Sequence, residues 1–188
     1  MKTSTDRILT THVGSLPRSK AVTDLVFAKE RNENIDNQLF NATIKAAVDN
    51  VVARQVLSGV DIVSDGEMSK ISYSTYIKDR ITGFEGDSPR NPPSDLEDYP
   101  AFMQRAAKGG GTPSYSRPCC VGKIEVKSMI PLQDDVANFN AAIAAHRPYD
   151  TFMNAASPGV IALFFTQQSL QNKRRISRSS CRSDASRI

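Results

Sequence analysis

The sequence predicts an α/β protein in which helices alternate with short buried strands, as in the first part of a (β/α) barrel. Three observations support this fold class. An apolar, β-branched stretch at 7–13 stops at a Gly-Ser turn, a long helical pattern occupies 36–57, and a second apolar stretch at 60–63 follows a glycine. A helix, a short turn and an apolar strand form half of a βαβ unit, which implies parallel strand pairing.

The composition is that of an ordinary globular protein. The 188 residues include 24 Lys and Arg, 20 Asp and Glu and 2 His, with a formal charge of +4, and 39% are hydrophobic. No apolar run reaches the ~18 to 20 residues of a membrane helix. The polar N-terminus does not resemble a signal peptide, and an odd number of cysteines argues against a disulfide framework. We therefore expect no membrane association and a cytoplasmic location.

The first elements follow from apolar stretches and their punctuation. Residues 7–13 predict a short buried strand, and 19–29 can form a short helix. Asp36 precedes a strong helical pattern and is its expected N-cap, and Ser58-Gly59 provides the C-terminal stop. Residues 60–67 then predict a second strand that runs into a polar loop.

The middle of the chain is less regular. Residues 71–80 can form a helix, whereas 86–116 contains five prolines and the run Gly109-Gly110-Gly111 and is predicted to be a loop-rich insertion. A loop of this length in a small domain is typical of an insertion or a binding element. Residues 117–126 return to apolar and β-branched types and predict a β-ribbon.

The last predicted units are a helix, a strand and the start of another helix. Asp134 or Asp135 can cap a helix that ends near His146. Residues 151–156 are the third strand candidate, and Ser157-Pro158-Gly159 opens the next helix.

The positive charge lies in the C-terminal tail. Residues 166–188 hold six basic residues and one acid, a charge of +5 that leaves −1 for residues 1–165. Six serines and no apolar periodicity predict a disordered tail. No aromatic residue is interleaved with the charges, so we expect no nucleic-acid binding.

Polar clusters occur where the three predicted strands end, at His12–Ser15, Ser64–Glu67 and Asn154–Pro158. Functional groups gather at the carboxyl ends of parallel strands, so the clusters predict one shared site. The alternative is that the Gly and Ser residues only form turns, the two acids are solvated, and His12 is a satisfied core residue.

Metal binding has no support in the residue spacing. No Cys-x-x-Cys, His-x-Cys or His-x-x-x-His pattern is present, so we expect no metal site in this chain. Cys119 and Cys120 are interpreted as neighbouring strand residues with one side chain on each face. The Gly109-Gly110-Gly111 run lacks a following Lys-Ser/Thr and is interpreted as a hinge.

The strand-end motifs carry a resemblance to a known family. The stretches Thr10–Arg18, Gly59–Glu67 and Phe152–Ile161 resemble the cobalamin-independent methionine synthase family. More closely, they resemble its short single-barrel relatives, the 5-methyltetrahydropteroyltriglutamate–homocysteine methyltransferases. The resemblance covers roughly residues 5 to 165. Uroporphyrinogen-decarboxylase-like barrels share the fold class but account less well for these motifs.

The resemblance implies a (β/α)8 TIM barrel and a zinc-dependent methyl transfer. The methyl group passes from 5-methyltetrahydrofolate, as its polyglutamate, to the thiol of homocysteine, or to another thiol in the single-barrel relatives. Zinc would activate the thiol as a thiolate. By the same resemblance, the following residues take site roles: Val13, Gly14, Ser15 and Glu67 in substrate binding, with Glu67 on the homocysteine ammonium, and His12 and Asp65 as pocket-lining residues.

The chain departs from the family in its second half. The resemblance places the zinc ligands there, and the tail at 166–188 does not match it, so we expect a truncated partial barrel at 1–165 followed by an out-of-frame tail. We assign no catalytic residue and no metal ligand, and we expect no activity of the isolated chain. The alternative is a non-catalytic remnant or binding module with a basic interaction tail. Open sheet edges would favour self-association.

Overall fold

A computed structural model describes residues 2–72, 76–86, 94–109 and 118–164, so the predicted tail at 166–188 lies outside the described residues. Six helices, one 3-10 turn and four two-residue strands occur in these ranges. Their bounds are α1 Lys20–Glu30, α2 Asn37–Leu57, β1 Ile62–Val63, α3 Ile77–Arg80, β2 Phe84–Glu85, the 3-10 turn Ser94–Leu96, α4 Pro100–Gly109, β3 Cys119–Cys120, α5 Ile130–His146, β4 Asp150–Thr151 and α6 Pro158–Phe164.

The predicted parallel pairing is confirmed. Strand β1 pairs in parallel with β4, with Ile62 opposite Asp150. Thr11 forms a parallel bridge to Ile62 on the other side of β1. The strand predicted at 7–13 is reduced to this bridge. Leu9 N donates to Ser4 Oγ and Thr10 N to the Asp61 carboxylate, while the Thr10 carbonyl accepts from Ile62 N at 3.0 Å.

Helix α2 begins and ends where its capping residues predict. The Asp36 carboxylate accepts hydrogen bonds from Gln38 N at 2.8 Å and Leu39 N at 3.2 Å, which satisfies two free donors of the first turn. Gly59 follows the last turn with φ +77°, a left-handed conformation that favours glycine. The main hydrophobic core lies between α1, α2, β1 and α5. Its buried members are Val22, Val26, Phe40, Ile44, Val48, Val51, Val52, Val63, Met68, Phe139 and Ala142.

Helix α5 begins one turn earlier than predicted. It starts at Ile130, whose N–H donates to Ser128 Oγ, and Pro131 occupies the first turn. The predicted cap at Asp134 or Asp135 is therefore wrong. Asp135 is instead a buried residue inside the helix. The end at His146 agrees with the prediction, since the next residue, Arg147, adopts a left-handed conformation.

The insertion predicted at 86–116 is not only loop. It contains the 3-10 turn and the ten-residue α4, while 87–93 and 110–117 lie outside the described residues. The predicted β-ribbon is present: β2 pairs antiparallel with β3, with Phe84 opposite Cys120. Both Cys119 and Cys120 are buried, so both faces of this ribbon are covered. Of the helix predicted at 71–80, only α3 is formed in the described part.

The described helices also bear on membrane association. None of the helices in the described ranges is long and apolar enough to cross a membrane.

Candidate functional site

One residue from each of the three strand-end clusters meets at a single carboxylate. Ser15 Oγ donates to Glu67 Oε2 at 2.6 Å, and Asn154 Nδ2 donates to Glu67 Oε1 at 3.0 Å. These residues follow the Thr11 bridge, β1 and β4, three parallel segments whose carboxyl ends lie at one edge of the sheet. The parallel topology therefore brings together residues that are up to 139 positions apart in the sequence.

The turn that carries Glu67 has an unusual backbone. Gly66 has φ +62° and Glu67 has φ +56°, so two consecutive residues are left-handed. A left-handed conformation costs a non-glycine residue roughly 1–2 kcal/mol. At Gly66 a Cβ atom would lie 3.0 Å from Met68 Cε and 3.2 Å from Leu16 Cβ, so only glycine fits without displacement of neighbours.

Hydrogen bonds hold this turn in place. Asp65 Oδ1 accepts from Glu67 N at 3.1 Å, and Leu16 N donates to Gly66 O at 3.1 Å. Arg18 Nη2 donates to the carbonyl oxygens of Glu67, at 2.7 Å, and of Lys70, at 2.5 Å. Burial lowers the pKa of Arg18, while the carboxylates of Glu67 and Asp65 oppose that shift. The arginine still carries its charge, because its ordinary pKa is far above neutrality.

A buried ionic network lies beside the turn. Lys70 Nζ is 3.3 Å from Asp65 Oδ2 and 3.4 Å from Asp135 Oδ2, and its side chain is only 5% exposed. The Tyr76 hydroxyl donates to Asp135 Oδ2 at 2.8 Å. Burial and the neighbouring Asp135 carboxylate raise the pKa of Tyr76 well above its ordinary value, so the phenol remains protonated.

Several charged groups surround Glu67. The carboxylates of Asp65, Glu67 and Asp135 are buried, and the cations near them are Lys70, the half-buried Arg18 and Arg80, whose guanidinium lies 5.3 Å from the centre of the Tyr76 ring. Lys70 contacts both aspartates, and Arg18 bonds only backbone carbonyls in this turn. The Glu67 carboxylate accepts hydrogen bonds from the neutral donors Ser15 and Asn154, and the Arg18 guanidinium is a cation that interacts with its charge.

The other residues predicted for the site lie around this centre or apart from it. Val13 is 68% exposed, and the space beside Gly14 is open. His12 lines a separate cavity of about 310 Å³ against α2, whose lining includes neither Asp65 nor Glu67. Its Nε2 atom is buried without a partner among the described residues. The binding roles of all six residues stay predictions.

Sequence reasoning missed four residues that shape the site. Asn154 stood in a recognised cluster but was given no role, although a polar residue directly after an apolar strand is a usable signal. Asp135 was interpreted as a helix cap. Arg18 bonds carbonyl groups that are 49 and 52 positions away in the sequence, and Lys70 contacts Asp135 on another helix. No local sequence pattern indicates such contacts.

The described residues do not fit a zinc site. Among them no group of three or more His, Cys, Asp and Glu side chains is placed to hold a metal ion. At the Glu67 centre the carboxylates are occupied by Lys70 and by neutral donors, and neither histidine contacts it. No chemical step through a metal is derived from this chain.

In open parallel α/β folds, ligands bind at the edge where the strands end, and the polar residues of this chain gather at that edge. The family model of the cobalamin-independent synthase, catalytic domain, matches residues 8–90. This region of the chain is therefore similar to that catalytic domain. The matched range contains His12, Ser15, Asp65 and Glu67, whereas Asn154 lies outside it.

One solved structure supports the fold. A B12-independent methionine synthase from Shewanella sp. W3-18-1, solved with selenomethionine, is similar with a TM-score of 0.63 and 14% identity, over 93% of this chain and 45% of that chain. A protein from Listeria monocytogenes assigned as a vitamin-B12-independent methionine synthase gives a TM-score of 0.34 and 15% identity, over 97% and 64%. The chain thus spans less than half of the first and under two thirds of the second. No curated protein matches the chain.

Proposed function

We propose that this chain binds the amino-acid substrate of a methyl transfer to a thiol, with homocysteine as the substrate and methionine as the product. The observation that carries the proposal is the buried Glu67 carboxylate, which Ser15 and Asn154 hold at the ends of three parallel segments. The match of residues 8–90 to the cobalamin-independent synthase catalytic domain supports the same reaction class. In this proposal the Glu67 carboxylate pairs with the ammonium group of the amino acid.

Electrostatics favour this use of Glu67. A buried carboxylate is costly, and a ligand ammonium that pairs with it reduces that cost when it binds. Ser15 and Asn154 are neutral donors, so they orient the carboxylate without cancelling its charge. Lys70 contacts the two neighbouring aspartates rather than Glu67, which leaves the Glu67 carboxylate to a ligand cation.

We also propose that the chain forms part of a (β/α)8 barrel, with the site on the face where the strands end. The proposed domain comprises residues 1–165, with an insertion at 86–116 and a separate tail at 166–188. The parallel order of the Thr11 segment, β1 and β4 supports this assignment. Self-association through open strand edges and a cytoplasmic location stay predictions.

The groups that meet at the site bind rather than catalyse. A thiol with a pKa of about 8.5 must lose its proton before it becomes a strong nucleophile. Neither Ser15 nor Asn154 can act as a base for that proton, and Glu67 is assigned to the ammonium. We therefore propose that zinc, 5-methyltetrahydrofolate and the group that activates the thiol are bound outside the described residues, and that these residues alone bind the amino acid without turnover.

The test is calorimetric titration of the full chain with L-homocysteine under reducing conditions. We expect wild-type binding and a loss of roughly 10- to 100-fold in Glu67→Gln, because a hydrogen bond to a charged group contributes about 1.5–3 kcal/mol. Glu33→Gln is the matched control, since Glu33 pairs with Arg31 on the exposed surface. Equal affinity in wild type and Glu67→Gln would contradict the proposal, as would no binding at all.

A further inference from the structure

We propose that a cavity between the Pro17–Val22 segment and helix α2 binds a small organic anion that has an apolar body and a carboxylate or phosphate group. The cavity has a volume of about 700 Å³, which lies within the range of ligand-binding sites. Its lining includes none of Ser15, Glu67 and Asn154, so this inference goes beyond the proposed function and does not depend on it.

Both walls of the cavity are held in place by the fold. On one side, Arg18 Nη2 donates to the carbonyl oxygens of Glu67 and Lys70. Ser19 Oγ accepts from Val22 N at 3.3 Å and caps the first turn of α1. On the other side lies one face of α2, a helix of 21 residues. The cavity is therefore formed before a ligand binds, which lowers the entropic cost of binding.

Most of the cavity lining is apolar. The α2 side is formed largely by the small side chains of Ala42, Ala46 and Ala47, which leave room for a ligand above the helix. Val22 and Met68 add larger apolar side chains from α1 and from the turn after β1. The apolar body of a ligand would cover this surface and remove it from water, which favours binding.

The charged side chains of the cavity are both cations. Arg18 and Arg54 line it, and none of the described lining residues is an acid. Arg54 is exposed and forms no ion pair with the described residues. Thr43 and Asn50 add neutral hydrogen-bonding groups on the same face of α2, since they lie 11 and 4 positions before Arg54. Two arginines without a carboxylate favour a ligand with a negative charge.

The charge of Arg18 is not fully compensated within the described residues. Its Nε atom is buried and has no hydrogen-bond partner among them. Burial lowers the pKa of Arg18 even though the carboxylates of Glu67 and Asp65 act in the opposite direction. The charged form is therefore still penalised, and an anion in the adjoining cavity would reduce that penalty. Arg54 would bind the same anion from the side of the helix.

A cavity that only offers apolar surface makes a different prediction. In that case an anion and a neutral compound with the same apolar body would bind equally well. If the arginines bind the acidic group, the anion binds more tightly, and the preference is lost when an arginine is removed. The ratio of the two affinities therefore separates the two cases, whereas the affinity for one compound does not.

The experiment is calorimetric titration of the full chain with 2-naphthoate, 2-naphthyl phosphate and the neutral 2-naphthamide, which share one apolar body. We expect at least one anion to bind about tenfold or more tightly than the amide, the fold-change that a hydrogen bond to a charged group produces. The anion that binds more tightly identifies carboxylate or phosphate as the preferred group. Arg54→Gln should reduce the preference to about threefold or less without weakening the amide.

Two further variants connect the binding to this cavity. Lys45→Gln is the matched control, because it removes the same charge from an exposed position of α2 that does not line the cavity, and it should keep the preference. Ala46→Leu places a larger side chain in the cavity and should weaken all three ligands by about tenfold or more.

The proposal has clear failures. It is overturned if neither anion binds, if the anions and the amide bind equally well to the wild type, or if Lys45→Gln loses the preference as Arg54→Gln does. Unchanged affinities in Ala46→Leu would show that the ligands bind elsewhere and would overturn it as well. None of these titrations uses L-homocysteine, so a failure here leaves the proposed function standing.

Discussion

At the scale of a single residue, the turn that carries Glu67 requires glycine at position 66. Gly66→Ala should destabilise the protein by about 2–3 kcal/mol, since it combines a left-handed backbone with the steric displacement of Met68 and Leu16. Gly59→Ala is the control, because Gly59 has φ +77° but open space around its Cα. It should cost only about 1 kcal/mol, the backbone part alone.

Urea unfolding of the two variants, followed by circular dichroism, checks this difference. Equal destabilisation would show that the contacts of Gly66 contribute nothing beyond its φ angle. At this scale the sequence predicts capping well: the Asp36 carboxylate caps α2 as expected, because its donors are two and three residues away. It does not predict Asn154 against Glu67, since 87 positions separate them and only the sheet register joins them.

Helix α5 contributes at the scale of an element, because its residue Asp135 anchors the helix to the network beside the site. Asp135→Asn removes a charge that contacts Lys70 and accepts from Tyr76, and we expect a loss of about 2 kcal/mol in the free energy of unfolding. Asp134→Asn changes the same chemistry on the exposed neighbour and should stay within about 0.5 kcal/mol of wild type. Chemical denaturation of both variants is the measurement. Similar losses in the two would refute the anchoring role.

The start of helix α5 depends on contacts with other elements, which local sequence patterns do not reveal. The helical periodicity of α5 and its end at His146 are visible in the sequence. Its first residue was predicted wrongly, because two adjacent aspartates resemble N-cap residues. A buried aspartate and a capping aspartate look alike until the positions of Lys70 and Tyr76 are known. The helix α4 was missed for a related reason, because it lies within a proline-rich stretch that resembles a loop.

The N-terminal segment is joined to the rest of the molecule by charge at the end of the sheet opposite the site. The Arg7 guanidinium pairs with the Asp61 carboxylate, which also accepts from Thr10 N at 2.8 Å. Lys2 Nζ lies 3.7 Å from the centre of the Tyr149 ring, and Lys2 N donates to Asp150. These contacts connect the segment before the Thr11 bridge to the starts of β1 and β4, and so stabilise the order of the parallel sheet.

This connection predicts how the stability of the whole molecule depends on pH. The Arg7 pair and the Thr10 bonds hold the pKa of Asp61 well below its unfolded value of about 4. A lowered folded-state pKa contributes stability that is present above pH 4 and is lost as pH falls below it. The urea midpoint of the wild type should therefore drop as pH falls from about 4 to about 2, and Asp61→Asn, which cannot titrate, should show a shallower drop. Asp6→Asn is the control, since Asp6 is exposed, and it should follow the wild-type curve. A curve for Asp61→Asn parallel to that of wild type would mean that other carboxylates control the acid response, and that the N-terminal segment is held by its backbone bonds alone.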